Sequence, residues 1–194
     1  ERAGKSGIVY CATRKAVEDV CDMLVSKRLP ATRYHAGLSA EERQLNQDDF
    51  LYDRRPIMVA TNAFGMGIDK SNVSFVIHYN MPQSMENYYQ EAGRAGRDGE
   101  PAKCILLFST QDVMISKLLL GSKDFEGMDF QEIDQVKRQD SRRLQLMEGY
   151  CMTTSCLRNY ILEYFGETTD TPCDNCGNCH QEFEELDMTR TAKW

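Results

Sequence analysis

The sequence predicts an α/β protein, a parallel sheet with helices on both faces followed by a small helical segment that carries a cysteine cluster. Three observations point there. Short, continuously apolar runs recur between Ser6 and Phe108, as in strands buried on both faces. Segments with helical spacing or helix caps separate them, the pattern of a sheet assembled from strand–helix–strand units. Beyond Gln111 the strand-like runs stop, and Cys173, Cys176 and Cys179 crowd into a turn-rich stretch.

Taken in order, Ser6 to Ala12 is a buried strand. Ala3-Gly4-Lys5-Ser6 invites comparison with a phosphate loop, but such a loop must open a helix, and here a β-type run, Gly7-Ile8-Val9-Tyr10-Cys11, follows at once. After Thr13, residues Val17, Val20, Cys21 and Leu24 repeat at helical spacing to about Lys27, and Pro30 ends the helix. Ala31 to His35 forms a short second strand. Ser39 with Glu42 makes a capping-box pattern for a polar helix to about Tyr52. Pro56 precedes a third strand, Ile57 to Thr61. Phe75 to Tyr79 is the fourth, Ser84 caps the helix after it, and Cys104 to Phe108 is the fifth. A helix to about Leu120, a loop from Gly121 to Gly127 and a charged helix from the Asp129/Glu132 cap to roughly Gly149 complete the middle of the chain. Leu157, Tyr160, Ile161 and Tyr164 mark a last helix over 154–165, closed by Gly166 just past its end. A domain boundary is expected near residues 120–128, and ligands at the carboxyl ends of the strands.

With 194 residues, 41% of them hydrophobic, the chain has room for one α/β domain and a small appendage. No run approaches the roughly 18 apolar residues of a membrane span, and Glu1-Arg2-Ala3-Gly4-Lys5 does not resemble a signal peptide, so a soluble intracellular protein is expected. The net charge of −7 argues against nucleic acid only until its distribution is considered: residues 159–189 hold eight acidic side chains and no Lys or Arg. The chain before them is near neutral, with basic clusters at Arg14-Lys15 and at Lys137, Arg138, Arg142 and Arg143. A local basic groove is compatible with that distribution.

Three thiols at two-residue gaps let a chain wrap one tetrahedral metal ion, and zinc is the usual occupant of such structural thiolate sites. Disulfides are the competing explanation, disfavoured without a secretory signal. A fourth ligand must come from elsewhere. Cys156 is the first choice, because it opens a helix whose dipole favours a thiolate. Cys151 is the second, and His180 would have to fold back sharply. Cys11, Cys21 and Cys104 are expected in the core.

The stretch Gln90-Glu91-Ala92-Gly93-Arg94-Ala95-Gly96-Arg97-Asp98-Gly99 holds the other concentration of chemistry. If it is helical as far as Arg97, then Gln90, Arg94 and Arg97 share one face. Two permanently charged planar guanidinium groups beside two glycines suit a transferring phosphoryl group, although a solvated arginine patch at a helix end would have the same composition.

Together with Gly7 to Cys11, Tyr34-His35-Ala36-Gly37-Leu38, Val59 to Lys70, Tyr88 to Gly99, Tyr164 to Glu167 and the cysteine loop, this stretch resembles RecQ-type DNA helicases of helicase superfamily two. The likeness runs along nearly the whole chain. It implies that residues 1–122 are the second RecA-like lobe, 123–188 a helical zinc-binding subdomain and 189–194 the start of a linker to a further domain such as a winged helix. Carried over residue by residue, it makes Arg97 the arginine finger reaching the γ-phosphate of ATP-Mg2+, Arg94 its companion and Gln90 a nucleotide-reading amide. Asp69 and Gly67 fall on the turn that senses the sugar. Thr61 and Asn62 match contacts to single-stranded DNA phosphates; Thr13, Arg14 and His35 are weaker matches to the DNA path.

The resemblance also implies 3′-to-5′ translocation toward a duplex junction, zinc on Cys156, Cys173, Cys176 and Cys179, no membrane, and a compartment that holds DNA: cytoplasm or nucleoid in a bacterium, nucleus in a eukaryote. No lysine-bearing phosphate loop or Asp-Glu strand occurs in the sequence, so the first RecA-like lobe is expected to be required in cis, and the chain alone to be inactive. The competing expectations are a lobe of another superfamily-two ATPase and a catalytically silent, zinc-stabilised binding module.

Overall fold

The computed structural model describes residues 5–65, 68, 70–122, 125 and 127–180. Gly67, Asp69 and residues 189–194 lie outside them. Two compact units divide the chain, 1–148 and 149–194. Compactness thus places the division inside the long fifth helix, later than residues 120–128, where strands give way to helices.

In the first unit five parallel strands, β1 (Ser6–Tyr10), β2 (Ala31–Tyr34), β3 (Ile57–Ala60), β4 (Val73–His78) and β5 (Lys103–Leu106), lie in the order β2-β3-β1-β4-β5. The first strand is central, with Tyr10 opposite Ala60 of β3 and His78 of β4. All its residues are buried, which is why it is apolar throughout and does not alternate. Its two faces serve different layers. Val9 and Cys11, with Val59, pack on Val17, Val20 and Cys21 of helix α1 (Arg14–Ser26). Ile8 and Tyr10, with Met58, Ala60 and Val76, surround Phe64 and Phe50 of helix α2 (Ala40–Leu51). Helices thus cover both faces, as the sequence predicts. The Ser39/Glu42 capping box forms with both reciprocal bonds in place.

After α3 (Met85–Ala92) and β5, helix α4 (Thr110–Gly121) begins at a second capping box, Ser109 with Asp112. Asp112 does more than cap. Its carboxylate also accepts from Asn80 Nδ2 (2.9 Å) and the Met81 N–H (3.3 Å), while Asn80 Oδ1 accepts from the Ala12 N–H at 3.1 Å. The carboxyl ends of β1 and β4 are thereby tied to the start of α4 by buried polar groups that satisfy one another.

Three expectations need correction. The fifth strand ends at Leu106, and Cys104 is exposed, since β5 is the outer strand with only β4 as a neighbour. The charged helix α5 (Phe130–Met152) runs past Gly149. Gly149 is tolerated within it because the Tyr160 hydroxyl would stand 2.6 Å from an added Cβ.

At the amino-terminal edge of the sheet, the almost fully buried Lys70 ammonium meets Asp53 Oδ1 at 2.9 Å, the Leu51 carbonyl at 3.3 Å and the face of Phe50. The Ser6 hydroxyl is the main influence holding the Asp53 carboxyl below its ordinary range; partial burial works against it and Lys70 reinforces it. We expect Asp53→Asn to cost about 1–2 kcal/mol at neutral pH by leaving a buried cation short of its counter-charge, a figure discounted for Asp53's half-exposed side chain. A carboxyl depressed in the folded state contributes stability above its unfolded value near about 4, and that contribution is lost as pH falls through the folded value. Denaturant titrations of both proteins should therefore show the difference shrinking below about pH 4. A difference unchanged down to about pH 2 would contradict this.

Candidate nucleotide and metal sites

Helix α3 starts at Ser84, whose hydroxyl accepts from the Asn87 N–H, and it buries Met85, Tyr88 and Glu91. It stops at Ala92, short of Arg97. Gly93 caps it, tight turns follow at Arg94 and Ala95, and Gly96 takes φ +71°, a left-handed conformation that suits glycine and breaks the helix. Gly96 also donates its N–H to the Val73 carbonyl at 2.9 Å, fastening the turn to β4. Gln90, Arg94 and Arg97 therefore do not form the single helical face that their spacing suggests.

The two arginines part company. Arg94 is 9% exposed and lies under Gly65, where any Cβ would collide with its guanidinium group. Gly65, at φ +130°, is close to obligatory there on both counts. Arg97 is exposed, with its Nε donating to the Gly93 carbonyl at 3.3 Å, and Gln90 is exposed as well. The permanent charge that faces solvent is Arg97, and Arg94 supports the turn beneath it.

Beside Arg94 lies a buried cluster that hydrophobic periodicity does not signal. Tyr10 stacks on His78 (ring centroids 5.4 Å apart), and His78 Nε2 meets Glu91 Oε2 at 2.9 Å. The Tyr10 hydroxyl donates to the Phe64 carbonyl at 3.3 Å. Burial raises its pKa above the ordinary phenol value, against the pull of the adjacent Arg94 guanidinium.

On the expected DNA side, Thr61 is half-buried and Asn62 exposed in the turn after β3. Thr13 caps α1, accepting from the Ala16 N–H at 3.1 Å, and Arg14 is exposed next to it. His35 is 5% exposed, and both its nitrogens are engaged: Nδ1 accepts from the Gly37 N–H at 3.1 Å and Nε2 meets Glu18 at 2.8 Å. Because Nδ1 accepts, the proton belongs on Nε2. In this state His35 shapes the Gly37 turn and has no donor to offer a phosphate.

In the second unit, Cys156 precedes helix α6 (Leu157–Tyr164), and its Sγ lies with those of Cys173, Cys176 and Cys179, all within 4.8 Å of one another. Cys151 and His180 are not in the group. Sulfurs bound at about 2.3 Å to one zinc stand about 3.8 Å apart in a tetrahedron. The pairs 173–179 (3.9 Å), 156–176 (4.0 Å) and 176–179 (3.4 Å) are near that spacing, so the donor set fits zinc. Burial opposes ionisation of Cys176, but the Leu157 N–H at the helix start, 3.4 Å away, and the neighbouring thiols hold it at about 6. Asn178 donates to the carbonyls of Thr153 and Ser155, both at 2.8 Å, and Asn159 to those of Thr169 and Thr171, both at 3.1 Å. These two amides clamp the cysteine loop; in the sequence they are indistinguishable from solvated asparagines.

Residues 1–99 match the family described as helicase conserved C-terminal domain, and residues 110–180 match the RecQ zinc-binding family. The chain belongs to the helicase C-terminal domain family, in its RecQ type. The ATP-dependent DNA helicase RecQ of Bacillus subtilis is 46% identical over 97% of this chain and 31% of its own length. Its namesake in Haemophilus influenzae is 42% identical over 91% of this chain and 27% of its own. The chain thus spans about a third or less of these curated relatives. Among solved structures, a DEAD box protein from the hyperthermophile Methanococcus jannaschii matches with a TM-score of 0.51 and 27% identity, over 61% of this chain and 32% of that one.

Proposed function

We propose that the chain is the C-terminal half of the motor core of a RecQ-type 3′-to-5′ DNA helicase, acting inside the cell with a nucleotide-binding first lobe in cis. The observation that carries this is the meeting of the Gly93–Arg97 turn and the turn after β3 at Gly65. One turn holds the phosphate-type charge and the other the expected strand contacts. In this proposal Arg97 is the arginine finger. Its exposed guanidinium stabilises charge developing on the γ-phosphoryl group of ATP-Mg2+ held by the first lobe. Arg94 sets the height of that turn, Gln90 reads the nucleotide, and Asp69 and Gly67 meet its sugar. Thr61, Asn62, Thr13 and Arg14 hold single-stranded DNA by its phosphates near a duplex junction, leaving the bases unread. His35 acts through the Gly37 turn. Zinc bound by Cys156, Cys173, Cys176 and Cys179 would supply a permanent crosslink between α6 and its following loop, with no open coordination position for chemistry. Among the described residues no helix is long and apolar enough to cross a membrane.

In this proposal the nucleotide's phosphate cradle lies in the first lobe. The purified chain is therefore expected to carry one zinc, to bind single-stranded DNA with an affinity that falls steeply with salt, and to hydrolyse no ATP. A coupled phosphate-release assay measures the last point. DNA-stimulated turnover by the chain alone would overturn the two-lobe assignment.

A further inference from the structure

Tyr10 belongs to neither the expected nucleotide contacts nor the expected DNA contacts, yet it touches the support of both. Its hydroxyl donates to the carbonyl of Phe64, and the Phe64 N–H donates to the carbonyl of Thr61 at 3.0 Å, so the turn carrying Thr61 and Asn62 hangs from Tyr10. The same hydroxyl lies beside the guanidinium of Arg94, which is buried and whose Nε has no hydrogen-bond partner among the described residues. The ring of Tyr10 stacks on His78, and His78 is bonded to Glu91, one turn before Arg94. The side chain is 4% exposed and stands at the carboxyl end of the central strand, in register with both β3 and β4.

Such an arrangement has two rigid sides and one adjustable part. Phe64 is locked by Tyr34 and Phe50 (ring centroids 5.0 and 5.8 Å away), and His78 by Glu91 and Tyr88. Arg94, a long side chain whose buried Nε has no partner among the described residues, is the flexible group beneath Gly65 and can re-pair when that turn shifts. A buried donor without a partner costs about 1–3 kcal/mol, enough to bias a small rearrangement.

We propose that Tyr10 is a positioning residue that couples occupation of the Thr61–Asn62 turn by DNA to the placement of the Gly93–Arg97 turn. Movement of the β3 turn against a bound strand changes the Tyr10–Phe64 bond and the space under Gly65. Arg94 follows, and Arg97 with it. The coupling rests on the motor assignment above, and the test separates the two.

In the full-length protein, Tyr10→Phe removes one hydroxyl and keeps the ring stack on His78. ATP hydrolysis is measured with and without single-stranded oligonucleotide, together with oligonucleotide affinity and thermal midpoint. We expect unstimulated kcat and DNA affinity within about twofold of wild type, and DNA-stimulated kcat lower by about fivefold or more, the scale of a modest site-to-site coupling. A hydroxyl with a merely structural role would lower both rates together along with the thermal midpoint, and that outcome overturns the proposal. So does full stimulation in Tyr10→Phe. If the wild-type protein shows no DNA-stimulated hydrolysis at all, the motor assignment itself fails and the coupling with it. Gly65→Ala serves as the second variant: by displacing Arg94 directly it should abolish stimulation, and retained stimulation there would also refute the proposed route.

Discussion

Replacing Cys156 with alanine should strip zinc from the protein and unfold most of residues 149–180. Beyond the end of α5, the short α6 and the Tyr150–Tyr160 packing, that segment is held chiefly by its clustered thiols and by the two asparagine clamps. Structural zinc bound by small thiolate sites contributes on the order of 10 kcal/mol of apparent folding free energy, far more than two amide clamps at about 1 kcal/mol per bond. Metal analysis should show near-stoichiometric zinc in the wild type and a small fraction of it in the variant, with new proteolytic cleavage confined to residues 149–180. Cys151→Ala, outside the cluster, should retain its zinc and serves as the control. Full zinc in Cys156→Ala would mean that the four-thiol geometry is not the binding site. Acid should act in the same direction as the mutation, since protons compete for thiolates.

The second large effect is expected at Arg97. In the full-length protein, Arg97→Ala should leave ATP affinity within a few-fold and lower DNA-stimulated kcat by roughly a thousandfold or more, the usual worth of an arginine finger. Arg97→Lys should recover little, because a point charge does not reproduce the planar fork. Arg97 is exposed and, among the described residues, its hydrogen bond is a weak one to the Gly93 carbonyl, so the fold should not suffer, and an unchanged thermal midpoint is part of the expected result. A binding module that merely uses Arg97 for nucleic-acid phosphates would instead lose DNA affinity with no hydrolysis to lose.

Much of this was legible in the residues themselves. Continuous apolar runs disclosed the central strands because burial on both faces removes alternation, and Ser39, Ser84 and Asp129 announced helix starts through caps that do form. The four-thiol cluster could be read from loop spacing and a helix start because both are local features. Errors arose where non-local structure decides. Cys104 has the composition of a core residue, but only the strand order reveals that β5 is an edge. Arg94 and Arg97 have the spacing of one helical face, yet Gly96 turns the backbone left-handed, and one arginine becomes a strut while the other reaches solvent. Tyr10, Asn80 with Asp112, and the two clamping asparagines stayed invisible because each acts on a partner far along the chain or on backbone carbonyls that leave no mark in sequence.

The place of β1 at the centre of the sheet also sets a schedule for synthesis. Its two neighbours are the third and fourth strands to be made, so Gly7 to Cys11 leaves the ribosome with both edges unpaired. At about 5–20 residues per second, β4 is completed roughly 3–14 s later. Before β3 is made this buried strand waits, and of the described elements only α1, β2 and α2 have followed it, none of which pairs with its edges. Among interruptions within these residues, those between 12 and 57 should therefore be more chaperone-dependent and aggregation-prone than those after residue 78. Protection should arrive abruptly when His78 has been made and Tyr10 can stack against it.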